Sequence, residues 1–186
     1  MKHKIYIITQ EDIFVIPRNI ELLIKSGKVN LCGVATVHTK NSLSSKKDLL
    51  IKSFGLKSLM TFGSKYFINK VYDLLDLMTN GRLLNKKRSI RALTRKYNIP
   101  LERIQNVNNK SFIDYLKTLE LDLIVSFSAP SIFKEELLNI PKEGCINLHC
   151  SYLPQYSGIL PSFWVLYYDE KETGVTIHYM DNKIDN

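Results

Sequence analysis

Short apolar runs of strand-like composition alternate along this chain with segments whose apolar residues recur at helical spacing. That alternation limits the fold more than any other feature. Lys4–Thr9 encloses Ile-Tyr-Ile-Ile, Val29–Val37 alternates apolar positions, and Asp122–Phe127 reads Asp-Leu-Ile-Val-Ser-Phe. Arg103–Val107 adds a short third strand. Between them, Arg18–Lys25 (stopped by Gly27), Ser89–Tyr97, Asn109–Leu119 and Ile132–Leu138 read as helices. Asn109–Leu119 places Phe112, Ile113, Leu116 and Leu119 on one face. Strands that follow one another through helices build a mostly parallel, right-handed α/β sheet. With 186 residues and 45% hydrophobic content, the chain is long enough for one substantial core.

The chemistry gathers in Gly144–Asp185. Cys145-Ile146 leads into Asn147 and His149, which share a face because strand side chains alternate. Ser151, Pro154 and Gly158 follow as turn residues, so the pair stands where a strand stops and a loop begins. In α/β sheets that edge is where ligands bind. A second strand-like run, Val175–Met180, precedes Asp181 and Asp185, so an amide, an imidazole and a carboxylate are expected at one sheet edge. Cys150 beside His149 faces the opposite side of the strand and is not favoured as a nucleophile. Ser151 reads as a turn former, and His178, inside the last strand, as structural. Pro161–Tyr168 reads as a helix with Pro at its first position and Trp164 in the core.

Asn147, His149, Ser151, Leu153, Pro154, Tyr156 and Gly158, then Thr173-Gly174-Val175-Thr176, Met180, Asp181 and Asp185, stand in order at particular spacings. The stretch resembles the catalytic core of the folate-dependent formyltransferases, which act on methionyl-tRNA, glycinamide ribonucleotide or sugar nucleotides. The resemblance implies a Rossmann-like, mostly parallel sheet flanked by helices, and a cis Leu153–Pro154 bond. It also implies N10-formyltetrahydrofolate as co-substrate, with Asn147, His149 and Asp185 catalytic and no metal. The pterin pocket would lie along Phe127, Ser128, Ala129 and Ile132, with Asp181 in a nearby folate-contacting loop. The family continues beyond the position of Asn186, so 1–186 reads as a catalytic domain incomplete at its C-terminus. The loop after the first strand lacks the family's glycine-rich form and carries Glu11 and Asp12, read here as a solvated loop with a helix-capping Asp12. That departure favours a nucleotide-linked amino sugar as acceptor. The alternatives are a methionyl-tRNA formyltransferase-like enzyme, or a non-catalytic member that binds folate or a partner.

The net charge of +8 is unevenly placed. Lys40–Lys96 holds 14 Lys and Arg against 3 Asp and Glu, a net +11, which leaves the rest at −3. This basic segment, about 40–98, is expected as a helical insert after the second strand. Its Leu56–Met78 run has a wide apolar face, and Arg91, Arg95 and Lys96 share one side of the helix that follows. Three readings stand: a helical excursion packed on the core, a homodimer surface, or a basic face for an anionic partner such as a nucleotide sugar, tRNA or a membrane surface. No aromatic-interleaved basic groove is evident, so nucleic acid is not the favoured partner. Cys32, Cys145 and Cys150 lack metal-ligand spacing and read as reduced thiols in a cytoplasmic protein. No apolar run reaches membrane-spanning length.

Overall fold

The structure is a computed structural model. It describes residues 2–12, 15–38, 57, 60, 61, 63–75, 77–79, 89–181 and 183. Its centre is β1 (His3–Gln10), whose Ile5, Tyr6, Ile7 and Ile8 are all buried. The alternation of side chains along β1 divides the core in two. Tyr6 and Ile8 pack on one face with Phe112 and Leu116 of α4 (Lys110–Thr118) and Leu137 of α5 (Glu135–Leu138). Ile7 packs on the other face with Ile16 and Ile20 of α1 (Ile16–Lys25) and Ile90 and Leu93 of α3 (Ile90–Lys96). Helices therefore cover both faces, the arrangement that parallel strands require.

The six-stranded sheet has the order β3-β2-β1-β4-β5-β6. Here β2 is Val29–Val37, β3 Leu101–Ile104, β4 Leu123–Phe127, β5 Cys145–His149 and β6 Thr176–Tyr179. The first five strands run parallel, and β6 is antiparallel to β5 at the edge. The expected mostly parallel α/β sheet is thus what forms. Chain order reverses across β1 and β4, and a crevice opens outside the carboxyl ends of strands at such a point. The β1–β2 register shifts between Ile5 and Tyr6, which sets Gly33 opposite Tyr6. A Cβ on Gly33 would lie 2.5 Å from Tyr6 Cε2, so only glycine fits there.

Three expected elements move, and the first is α1, which begins at Ile16 rather than Arg18. β3 begins at Leu101 rather than Arg103, because the Val34 amide donates to the Pro100 carbonyl (2.9 Å) and opens the pairing with β2 there. α5 begins at Glu135 rather than Ile132. The Asn108 side chain donates to the Ile132 carbonyl (2.9 Å) and accepts from the Lys134 amide (2.8 Å), holding 132–134 out of a helix. Asn109 and Ser89 cap α4 and α3 through their side chains. Most of the basic segment expected over 40–98 lies outside the described residues. Within it, the described residues of 57–78 are helical, α2.

Candidate active site at the tip of β5

β5 ends at His149 because the chain must turn there. Ser151 is fully buried, and its hydroxyl donates to the Gln155 carbonyl (2.8 Å), closing a turn that contains the cis Leu153–Pro154 bond. Thr176 ties the turn to β6: its hydroxyl donates to the Ser151 carbonyl (2.7 Å) and accepts from the Leu153 amide (3.1 Å). Ser151 thus acts on backbone groups, as its position among turn residues suggested.

The turn fixes the imidazole. His149 is 5% exposed, and its Nε2 lies 2.9 Å from the Tyr156 carbonyl oxygen. A carbonyl only accepts, so Nε2 carries the hydrogen. Tyr156 holds that carbonyl in place from a left-handed backbone conformation (φ 55°). Its phenol donates to Glu170 Oε1 (2.5 Å), and its ring stacks on Tyr168 of the turn after α6 (Pro161–Tyr167). The hydrogen bond to Glu170 pushes the Tyr156 phenol up to about 12. Trp164, expected in the core, is half-buried in this aromatic group, with its ring on Phe163, Tyr167 and Tyr168.

Asn147 is half-buried one step back along the same face and pairs in register with His178 on β6. Asn147 Nδ2 lies 3.3 Å from His178 Nε2, and His178 Nδ1 lies 3.1 Å from the Tyr179 carbonyl. The carbonyl requires a hydrogen on Nδ1, which makes Nε2 of the neutral ring an acceptor. One amide hydrogen of Asn147 is held by His178, which orients the amide. The sequence suggests a structural role for His178. The antiparallel register of β6 makes it the direct neighbour of Asn147.

The expected pocket residues divide. β4 pairs with β5 in parallel, with Ser126 opposite Asn147 and Phe127 opposite Leu148, so the loop leaving β4 starts beside the Asn147–His149 pair. Phe127 and Ala129 are half-buried, Ser128 is exposed with φ 52°, and Ile132 is exposed. Thr9 at the end of β1 anchors this loop by donating to the Phe127 carbonyl (2.7 Å). Phe127 packs on the α1 side of the core and Ala129 on the α4 side. Asp181 is not brought to them. Because β6 is antiparallel, it carries Asp181 toward the Cys145 end of β5, where Met180 N bonds the Cys145 carbonyl (2.8 Å). Three residues of strand beyond His178 amount to about 10 Å. Asp181 there accepts from the Lys183 amide (2.8 Å), a local turn. Asp185 lies outside the described residues. The loop after β1 is as the sequence suggested: Asp12 Oδ1 accepts from the amides of Val15 (2.7 Å) and Ile16 (2.9 Å) at the start of α1.

Comparison with known proteins points the same way. A family model described as formyl transferase matches residues 78–186, more than half of the chain. The chain is 47% identical over 98 residues to the bifunctional polymyxin resistance protein ArnA of Wigglesworthia glossinidia brevipalpis, covering 53% of this chain and 15% of that protein. It is 38% identical over 125 residues to the methionyl-tRNA formyltransferase of Clostridioides difficile, covering 63% of this chain and 40% of that one. The chain therefore spans well under half the length of these curated relatives. Among solved structures, phosphoribosylglycinamide formyltransferase from Bacillus halodurans superposes with a TM-score of 0.59 at 16% identity, over 98% of this chain and 74% of that one. A sugar N-formyltransferase from a Shewanella species gives 0.53 at 17% identity, over 99% and 53%. At such identities these structures establish the fold alone.

Proposed function

Since this chain belongs to the formyl transferase family, we propose that it transfers a formyl group from N10-formyltetrahydrofolate to an amine, the amino group of a nucleotide-linked amino sugar. The observation that carries the reading is the Asn147–His149 pair on one face at the carboxyl end of β5, beside the loop that leaves β4.

The amine nitrogen attacks the formyl carbon, the carbonyl becomes an oxyanion, and collapse expels N10 as a proton moves from the amine to N10. The Asn147 amide, oriented by His178, donates to the oxygen as its charge grows, a contribution of about 3 kcal/mol at comparable sites. His149, held at Nε2 by the Tyr156 carbonyl, takes the amine proton and returns it to the leaving nitrogen. The Tyr156 carbonyl stabilises the imidazolium formed between those steps. Phe127, Ala129 and Ile132 wall the pterin and keep water from the formyl group, and Ser128 offers backbone groups to its polar edge. Asp185 completes the set by favouring the charged imidazole.

The amino-sugar acceptor is supported by the loop after β1. The first amides of α1 are taken by the Asp12 carboxylate, so the anion position there is filled by the chain itself rather than held for a small phosphorylated acceptor. A methionyl-tRNA acceptor is the second reading, favoured by the 38% identity over 125 residues. The test is a parallel assay of purified protein with formyl-folate and, in turn, amino-sugar nucleotides and methionyl-tRNA. Release of tetrahydrofolate with the sugar nucleotide supports the proposal, turnover with charged tRNA alone replaces the acceptor, and folate binding without turnover leaves a binding module.

A further inference from the structure

α2 is seated the wrong way round for a helix covering a core. Its apolar residues Met60, Phe67, Val71, Leu74 and Met78 recur at three-, four- and seven-residue steps, which places them on one stripe. That stripe faces out: Phe67 is 68% exposed, Leu74 58% and Met78 75%. The helix rests on the protein through its opposite side, where Asp73 is buried and accepts from the Ser89 hydroxyl. Ser89 also accepts from the Ala92 amide (3.1 Å) as the cap of α3, so a polar anchor sets which side of α2 meets solvent.

The charge around the stripe selects what covers it. Lys57 and Lys70 are exposed on the two flanks of the stripe, Lys65 is exposed on the far side, and Asp73, already buried, is the only acid among the described residues of this helix. Two copies meeting along the stripe would set rows of lysine side by side, whereas paired helices use opposite charges beside their apolar seam. An apolar ridge with aromatic residues and a lysine border is the composition of a helix that lies in a bilayer interface, its lysines among anionic headgroups. No helix of the described residues is long and apolar enough to cross a membrane, so the contact lies along the surface. We propose that α2 docks this protein on an anionic lipid bilayer, with Phe67, Val71 and Leu74 entering the acyl boundary.

The test is co-sedimentation of the full chain with vesicles of phosphatidylcholine, with and without phosphatidylglycerol. Binding is expected only to the anionic vesicles, weakening as salt rises. It should fall about tenfold or more in the doubly substituted Phe67→Ser, Leu74→Ser chain. Lys57→Glu with Lys70→Glu should weaken binding without touching the stripe, which keeps the test open if the first variant folds poorly. A folded chain that stays in the supernatant with anionic vesicles overturns the proposal, as does equal binding to neutral ones. A solution dimer dissolved by Phe67→Ser, Leu74→Ser would assign the stripe to a second copy and equally overturn it.

Discussion

Replacing His178 with leucine removes the acceptor that orients the Asn147 amide and leaves the strand and the amide in place. At 3.3 Å the Asn147–His178 bond is at the long end for a neutral pair, so its net worth is about 0.5–1 kcal/mol. If that free energy serves to hold the amide toward the oxyanion, kcat should fall about two- to fivefold. Losing the donor altogether, as in Asn147→Ala, should cost about a hundredfold or more. KM for formyl-folate should change little, since the contact matters once the carbonyl becomes tetrahedral. His178→Gln, which keeps an acceptor oxygen, should recover most of the loss. The assay is steady-state release of tetrahydrofolate. An unchanged kcat would refute the orienting role, and a loss equal to that of Asn147→Ala would put His178 on the reaction itself.

Further outcomes follow from the packing and the perturbed groups. Tyr6 is fully buried and its hydroxyl has no hydrogen-bond partner; Tyr6→Phe should leave stability unchanged or raise it by up to about 1 kcal/mol in denaturant unfolding. Gly33→Ala forces a Cβ against the same ring and should cost about 1–3 kcal/mol. Tyr156 titrates near 12 because it donates to Glu170. The contact therefore contributes fully below the ordinary phenol value and is lost as pH rises through about 12. Glu170→Gln should bring that phenolate transition down in an absorbance titration. Burial pushes the Cys145 thiol up to about 12, so thiol reagents should reach it at neutral pH only after unfolding.

The pair at the tip of β5 was legible because its signals are local: side-chain alternation puts Asn147 and His149 on one face, and Ser151, Pro154 and Gly158 mark where the strand must stop. The core of α4 was legible for the same reason, from helical periodicity. What depends on pairing direction was not. Nothing within Val175–Met180 says that β6 runs antiparallel, yet that direction brings His178 onto Asn147 and takes Asp181 away from the β4 loop. The start of α5 was hidden by Asn108, a residue 24 positions from Ile132 whose side chain overrides a local helical preference. Periodicity likewise found the apolar stripe of α2 but not its outward orientation, which the Asp73–Ser89 contact decides.

In the proposed mechanism an amide and an imidazole on one face of β5 carry out formyl transfer. The deciding measurement is single-turnover formyl transfer by the wild-type chain, Asn147→Ala and His149→Ala, with folate binding measured alongside. Each substitution should slow the chemical step about a hundredfold or more while formyl-folate still binds. Transfer at the wild-type rate in either variant would contradict it.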